Sequence, residues 1–223
     1  MQSLEATGFR IRRSFASSEH LYALRNECDR VFANLDGGGT RHICQHSELF
    51  TELASSIAIS ADLLPHQSMR MVRSIYFNKT PEKNWPVAWH QDLSIAVKEK
   101  KHVDGYEAWS SKGDGVQHVR PPIKLLSEMW TVRIHLDDAH FDNGALSLVP
   151  ESHLDGMIST SEIKEYTAGS ELCECAAGDA LVMSPLILHS SSKSINPSNR
   201  RILHFEFAPE KSLDSELAWY ESL

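Results

Sequence analysis

The chain of 223 residues has few cysteines, fewer basic than acidic residues and no long apolar run, and each shortage excludes something. Four cysteines, at positions 28, 44, 173 and 175, are too few for a disulfide framework in a chain of this length. Cys173 and Cys175 read as same-face residues of a strand rather than as a redox or metal pair. No stretch approaches the roughly 18 apolar residues that span a bilayer, and the opening MQSLEATGFRIRRSF has no apolar core of the kind a signal peptide carries. Lys+Arg is 22 against 30 Asp+Glu, a formal net charge of −8, which argues against a basic face for nucleic acid or an anionic membrane. Repeats and low-complexity tracts are also missing. These absences predict a cytoplasmic protein with one domain over 1–223, a monomer or homodimer acting on a small molecule, with no nucleic-acid or membrane partner.

What is present is apolar mass for a core, 41% of the residues, and 12 histidines. Residues 1–65 read as a helical part. Ser17 or Ser18 can cap a helix carrying Leu21, Leu24, Val31 and Phe32, ending before the break at Asp36-Gly37-Gly38-Gly39. A second apolar pattern runs through Leu49, Phe50, Leu53, Ile57 and Ile59 and stops near Pro65. Over 66–223 the signal changes to short strands: Met69–Asn78, then 129–136, 145–149, 171–175, 180–188 and 201–207. Turn chemistry separates them at Asp142-Asn143-Gly144, Gly178-Asp179 and Asn196-Pro197. Residues 97–122 are polar, glycine-containing and without clear periodicity, which predicts a mobile lid with Gly105, Gly113 and Gly115 as hinges. Helices followed by many short strands predict a mainly β (α+β) fold, a jelly roll with the helices on one outer face.

Two strands alternate strictly. In Trp130–Asp137 one face carries Trp130, Val132, Ile134 and Leu136 and the other Thr131, Arg133, His135 and Asp137. In Arg200–Phe207 the apolar face is Leu203, Phe205 and Phe207, opposite Arg200, Ile202, His204 and Glu206. The polar faces are either plain exposed sheet or the lining of an internal polar cavity.

A His-x-Asp/Glu pair on a strand puts both side chains on one face, spaced to hold one metal ion. Seven such pairs occur, at His46, His90, His102, His135, His140, His153 and His204, so context has to choose among them. His90 and Asp92, in WPVAWHQD, follow a strand and lead into the lid segment. A second histidine on a neighbouring strand completes a facial triad, and His189, ending the apolar run Ala180–Leu188, fits. Arg200 begins the next strand on its polar face, placed to clamp the far carboxylate of a bidentate 2-oxo acid. The adjacent Arg201 lies on the apolar face of the same strand.

The run WHQD, the later DNGALSLVPESH, and GDALVMSPLILHSSS followed by RRILHFEF resemble the phytanoyl-CoA dioxygenase family of Fe(II)/2-oxoglutarate oxygenases. The resemblance extends from Gly8-Phe9 to the last strand. It implies a double-stranded β-helix, the cupin-like jelly roll, with N-terminal helices packed on the larger sheet. It implies that His90, Asp92 and His189 are the iron ligands and catalytic centre, that Arg200 binds the C5 carboxylate of 2-oxoglutarate and that Ser191 contacts the same cosubstrate. Arg133 falls where a family member has a cosubstrate-contacting tryptophan, a departure that leaves it facing either 2-oxoglutarate or substrate. In related halogenases the acid of the triad is replaced by Gly or Ala. Asp92 is present, so the implied reaction is hydroxylation using Fe(II), 2-oxoglutarate and O2, with succinate and CO2 as co-products.

For the substrate, Gln91 between the proximal ligands and Trp109 and His118 in the lid are the candidate contacts. Lys98, Lys100 and Lys101 are offset by Glu99 and Asp104 and make no case for a CoA moiety. Two other readings use the same histidines: a non-catalytic cupin-like metal-binding or sensor domain, and a metal-dependent isomerase or lyase without a keto acid. Arg200 speaks against the last, which has no dicarboxylate cosubstrate to bind.

Overall fold

The computed structural model describes residues 3–35, 37–65, 68–80, 82–195 and 199–223. Its strands are Phe9–Arg12 (β1), Gly39–Arg41 (β2), Met69–Lys79 (β3), Val87–His90 (β4), Ile95–Val97 (β5), Glu107–Ser111 (β6), Gln117–Arg120 (β7), Trp130–His135 (β8), Leu146–Leu148 (β9), Glu171–Cys173 (β10), Ala180–Met183 (β11), His189–Ser191 (β12) and Arg200–Pro209 (β13). Three antiparallel sheets result, ordered β1-β11-β8-β13-β3-β2, β10-β9-β12-β4 and β5-β7-β6. The two larger sheets form the jelly roll, and the expected fold class holds.

The first long helix forms where the sequence caps it. Ser17 accepts the His20 amide and opens Ser18–Val31, whose buried stripe is Leu21, Leu24 and Cys28. Glu48–Ala58 buries Phe50, Ala54 and Ile57. Both stripes pack on the apolar face of the six-stranded sheet, where Val132, Ile134, Leu203, Phe205 and Phe207 are buried. Strand parity then turns Arg133, Arg200, His204 and Glu206 to the opposite face, toward the interior between the sheets. Of the polar faces read from alternation, Arg133, Arg200, His204 and Glu206 line an internal cavity, whereas Asp137, past the end of β8 at His135, turns to the outer side and bonds Arg201 and Arg25.

Three expectations need correction. The N-terminal part is not purely helical, because β1 pairs with β11 and β2 with β3, giving the large sheet both its edge strands. With four and three residues these strands are too short to show alternation. The expected strand over 180–188 ends already at Met183; from Ser184-Pro185 the chain crosses to the other sheet, where β12 begins at His189. Pro185 has no amide to give to a ladder, and the Ser184 hydroxyl takes the Leu186 amide instead.

Residues 97–122 are also not an irregular lid, since β6 and β7 lie within them. β7 pairs with β5, and the C-terminal segment seals the far edge of β5 through Lys98 N to Ala218 O (2.9 Å) and Tyr220 N to Ala96 O (3.1 Å). Gly105 and Gly115 sit in turns at φ +79° and +80°, and Gly115 closes the β6–β7 hairpin through its bond to Lys112 O. These strands are short and carry no clear alternation, so the sequence pattern does not reveal them. The Asn196-Pro197 turn lies outside the described residues.

Candidate metal centre

His90 ends β4 and His189 opens β12, and the two are direct cross-strand partners with ring centroids 4.2 Å apart. Asp92 follows β4 with its amide bonded to Pro185 O at 2.9 Å, which turns the carboxylate to the same point. Its oxygens stand 3.6 Å from His90 Nε2 and 3.7 Å from His189 Nε2. Potential ligand atoms of the three residues all lie within 4.8 Å of one another, the only such His/Cys/Asp/Glu group among the described residues.

Both rings are oriented from behind. His90 Nδ1 donates to Ala88 O and His189 Nδ1 to Ile187 O, each at 2.9 Å, which leaves each Nε2 lone pair for a cation. Burial pulls His189 down to about 4, so its imidazole is neutral as a ligand must be. Burial alone would raise the Asp92 carboxyl, but His90 and His189 outweigh it and hold it well below the usual range. Burial lowers His90, but Asp92 outweighs it and holds that ring above its ordinary value, so His90 gives up a proton when a cation binds. With both rings neutral, two imidazoles and one carboxylate in a facial arrangement suit a borderline divalent transition metal.

The cavity in front of these ligands has a volume near 390 Å³. Arg200 lines it, with Nη1 donating to Gly144 O and Nε buried without a partner among the described residues. Lys79, directly across from Arg200 on β3, is fully buried and donates to Ser191 Oγ at 3.1 Å and Ser192 O at 2.7 Å. Gly144 makes room for it, since a Cβ there would meet Ser192 O at 2.6 Å and the lysine ammonium at 3.0 Å. Burial and the charges of Arg200 and Arg133 pull Lys79 down to about 8. Arg133 gives Nη1 to His204 Nδ1 at 3.1 Å and lies over the Phe77 ring. His204 accepts on Nδ1, so its Nε2–H faces Glu206 Oε1 at 3.3 Å, and Glu206 takes Arg73 Nη1 at 3.2 Å on the same oxygen.

The cosubstrate candidates Arg200, Ser191 and Arg133 therefore meet around one cavity with the triad. The substrate candidates do not. Gln91 points away from its neighbours by strand parity and ties Gly156 O, Leu186 O and Ile158 N together. Trp109 packs against the cluster of β5, β7 and the C-terminal segment. His118 is fully buried and does not line the cavity. Arg201 is held outside by Asp137 and Asp29, as its parity requires. Sequence reasoning missed Lys79, which looks like a turn lysine before Thr80-Pro81, and missed Arg41 and Arg73, which only the sheet brings together.

A jelly roll with a facial His-Asp-His group in its mouth defines a class of metal-dependent enzymes. Residues 4–202 match the family phytanoyl-CoA dioxygenase (PhyH), and the chain belongs to that family. The fold is shared with HygX from Streptomyces hygroscopicus, solved with nickel and 2-oxoglutarate bound, at 16% identity and TM-score 0.67, over 93% of this chain and 85% of that one. It is shared with EctD from S. alaskensis at 14% identity and TM-score 0.71, over 92% and 74%. SnoK, an alpha ketoglutarate dependent carbocyclase from nogalamycin biosynthesis, is 18% identical with TM-score 0.67, over 92% and 81%. No curated protein matches the chain. Among the described residues no helix is long and apolar enough to cross a membrane.

Proposed function

We propose that this protein is an Fe(II)- and 2-oxoglutarate-dependent dioxygenase that hydroxylates a small organic molecule. The observation that carries the reading is the pairing of the triad with two buried cations, Arg200 and Lys79, that have no carboxylate partner among the described residues. An uncompensated buried charge is costly, and a dicarboxylate reaching from the metal would compensate both. The neighbouring folds include a carbocyclase and an epimerase; Asp92 speaks against halogenation, and among the remaining outcomes hydroxylation is the one the family resemblance implies.

His90, Asp92 and His189 hold the iron, with ring orientation set by the Ala88 and Ile187 carbonyls. Iron(II) and 2-oxoglutarate together supply activation of O2, the keto acid leaving as succinate and CO2. Arg200 and Lys79 fix the far carboxylate, Ser191 accepts from Lys79 and positions it, and Arg133 carries its charge beside the centre. Phe77, Trp85 and Leu146 form apolar wall that keeps water from the reacting atoms. A sensor domain needs no such keto-acid end, and neither does a keto-acid-free isomerase or lyase.

Anaerobic addition of Fe(II) and 2-oxoglutarate tests the reading. A visible charge-transfer band that needs both components is expected, followed by O2-dependent succinate release in a substrate screen. Iron binding with no band at any 2-oxoglutarate concentration would overturn it.

A further inference from the structure

The wall of the cavity carries more positive charge than the proposed cofactors use. Among the described residues five basic side chains line it, Arg41, Arg73, Lys79, Arg133 and Arg200, against the two acids Asp92 and Glu206. A divalent metal and a keto-acid dianion cancel each other, so the surplus remains when both are bound. Outside the lining, Asp114 at 3.9 Å from Arg41 offsets part of it.

The surplus has a direction. On β3 the cavity-facing residues run Arg73, Ile75, Phe77, Lys79, partnered on β13 by Glu206, His204, Ile202 and Arg200. Six residues of strand separate Arg73 from Lys79, about 20 Å at about 3.3 Å per residue. A five-carbon diacid anchored at Lys79 and Arg200 is too short to reach Arg73, so the two ends of this row serve different ligands. Arg41 sits opposite Ile75 on the edge strand β2, on the same face as Arg73 and diagonal to it. Arg73 gives one Nη to Glu206 and Ser94 O, and among the described residues neither its buried Nε nor that of Arg41 has a partner. Behind them His118 Nε2 is also buried and unpartnered among the described residues, and burial and then the charge of Arg73 push its pKa down.

We propose that the Arg73–Arg41 end of the cavity binds an anionic oxygen group of the substrate, a carboxylate or a phosphate. The inference rests on the oxygenase reading above and adds the substrate class to it. Two arginines with free Nε–H donors on one face match the forked geometry of such groups. The cavity near 390 Å³ limits the substrate to a small acid. Glu206 holds Arg73 in place without neutralising Arg41, and His204 links that pair to Arg133.

The test uses the full chain loaded with Ni(II) and saturating 2-oxoglutarate, so that binding is read without turnover. Phenylacetate, phenyl phosphate and neutral phenylacetamide are titrated by calorimetry at two 2-oxoglutarate concentrations. At least one anion is expected to bind tenfold or more tightly than the amide, and which one it is separates carboxylate from phosphate. That preference should fall to about twofold in Arg41→Gln, a half-buried position whose change leaves the core intact, and in Arg73→Gln, with Arg73→Lys retaining part of it. Equal binding of all three probes overturns the proposal, as does an unchanged preference in both glutamine variants. Anion binding that weakens in proportion to added 2-oxoglutarate also overturns it, since the probe is then occupying the Arg200 end. Wild-type protein that binds no 2-oxoglutarate at all would remove the oxygenase reading itself, and the subsite with it.

Discussion

Lys79 and Arg200 are register partners on adjacent antiparallel strands, both buried, and among the described residues neither has a carboxylate to balance it. Two like charges fixed side by side destabilise the ligand-free protein and prepare it for a dianion. Lys79→Met is therefore expected to raise the ligand-free Tm by a few degrees while weakening 2-oxoglutarate binding about tenfold or more. Scanning calorimetry and a 2-oxoglutarate titration read the two effects, and a variant weakened in both would contradict this account.

The same lysine sets a pH dependence. Burial, helped by Arg200 and Arg133, takes it from an ordinary 10.5 down to about 8. Between those values the unfolded chain binds more protons here than the folded one, so this group makes ligand-free stability rise with pH across that window. Its charge is lost over the same range, so 2-oxoglutarate affinity falls above about pH 8. Both trends are read as the difference between wild type and Lys79→Met, and identical pH profiles in the two would refute the assignment.

Arg200 and Arg201 separate binding from stability. On the proposed reading Arg200→Ala should remove a charge-assisted contact worth about 1.5–3 kcal/mol, and the 2-oxoglutarate requirement is expected to rise by about one to two orders of magnitude. Arg201 bonds Asp137 through Nε and Nη2 at 2.9 and 3.0 Å and Asp29 at 2.9 Å, joining the first long helix to the sheet. Arg201→Ala should cost about 2 kcal/mol in urea unfolding and leave 2-oxoglutarate affinity within about twofold. The reverse pattern would mean that strand parity has been misassigned.

Replacement of His90, Asp92 or His189 by Ala should abolish the Fe(II)/2-oxoglutarate absorption band and succinate release. Far-ultraviolet circular dichroism should stay unchanged, because none of the three belongs to an apolar cluster. Metal content measured after dialysis distinguishes lost binding from lost turnover. Wild-type iron retention by two of the three variants would discard the triad.

Hydrogen exchange tests the revised view of residues 97–122. Amides of β7, flanked by β5 and β6, should be protected nearly as well as those of β8, while the 112–116 hairpin turn exchanges fast. Removing residues 218–223 strips the outer partner from β5 and should raise exchange in β5 and then β7. Fast exchange throughout 97–122 in the full chain would restore the mobile lid.

Much of this was legible before any coordinates. Alternation in Trp130–Asp137 and Arg200–Phe207 places the buried apolar faces and turns Arg133, Arg200, His204 and Glu206 to the cavity, though it misplaces Asp137, which leaves the strand and meets Arg201 outside. Spacing with family resemblance singles out His90, Asp92 and His189. Position on a short strand is not legible, because three or four residues show no alternation. Gln117–Arg120 is four residues whose ladder needs β5 and β6, and Arg41 meets Arg73 only because β2 pairs with β3. Lys79 shows the same limit, since a lysine beside Thr80-Pro81 looks like turn chemistry until the opposing Arg200 is in place.

The strand carrying His90 is the outermost of the four-stranded sheet, with β12 as its sole backbone neighbour there. The ladder between them is short and shifts register between His189 and Ser191. An ion gripped by His90 and Asp92 on one side and His189 on the other would act as a rivet across that weak seam. Metal loading should then guard the 84–94 segment against proteases out of proportion to its effect elsewhere. Starved of metal, the polypeptide would be nicked there first, so the cell's clearance machinery would remove empty protein sooner than loaded protein.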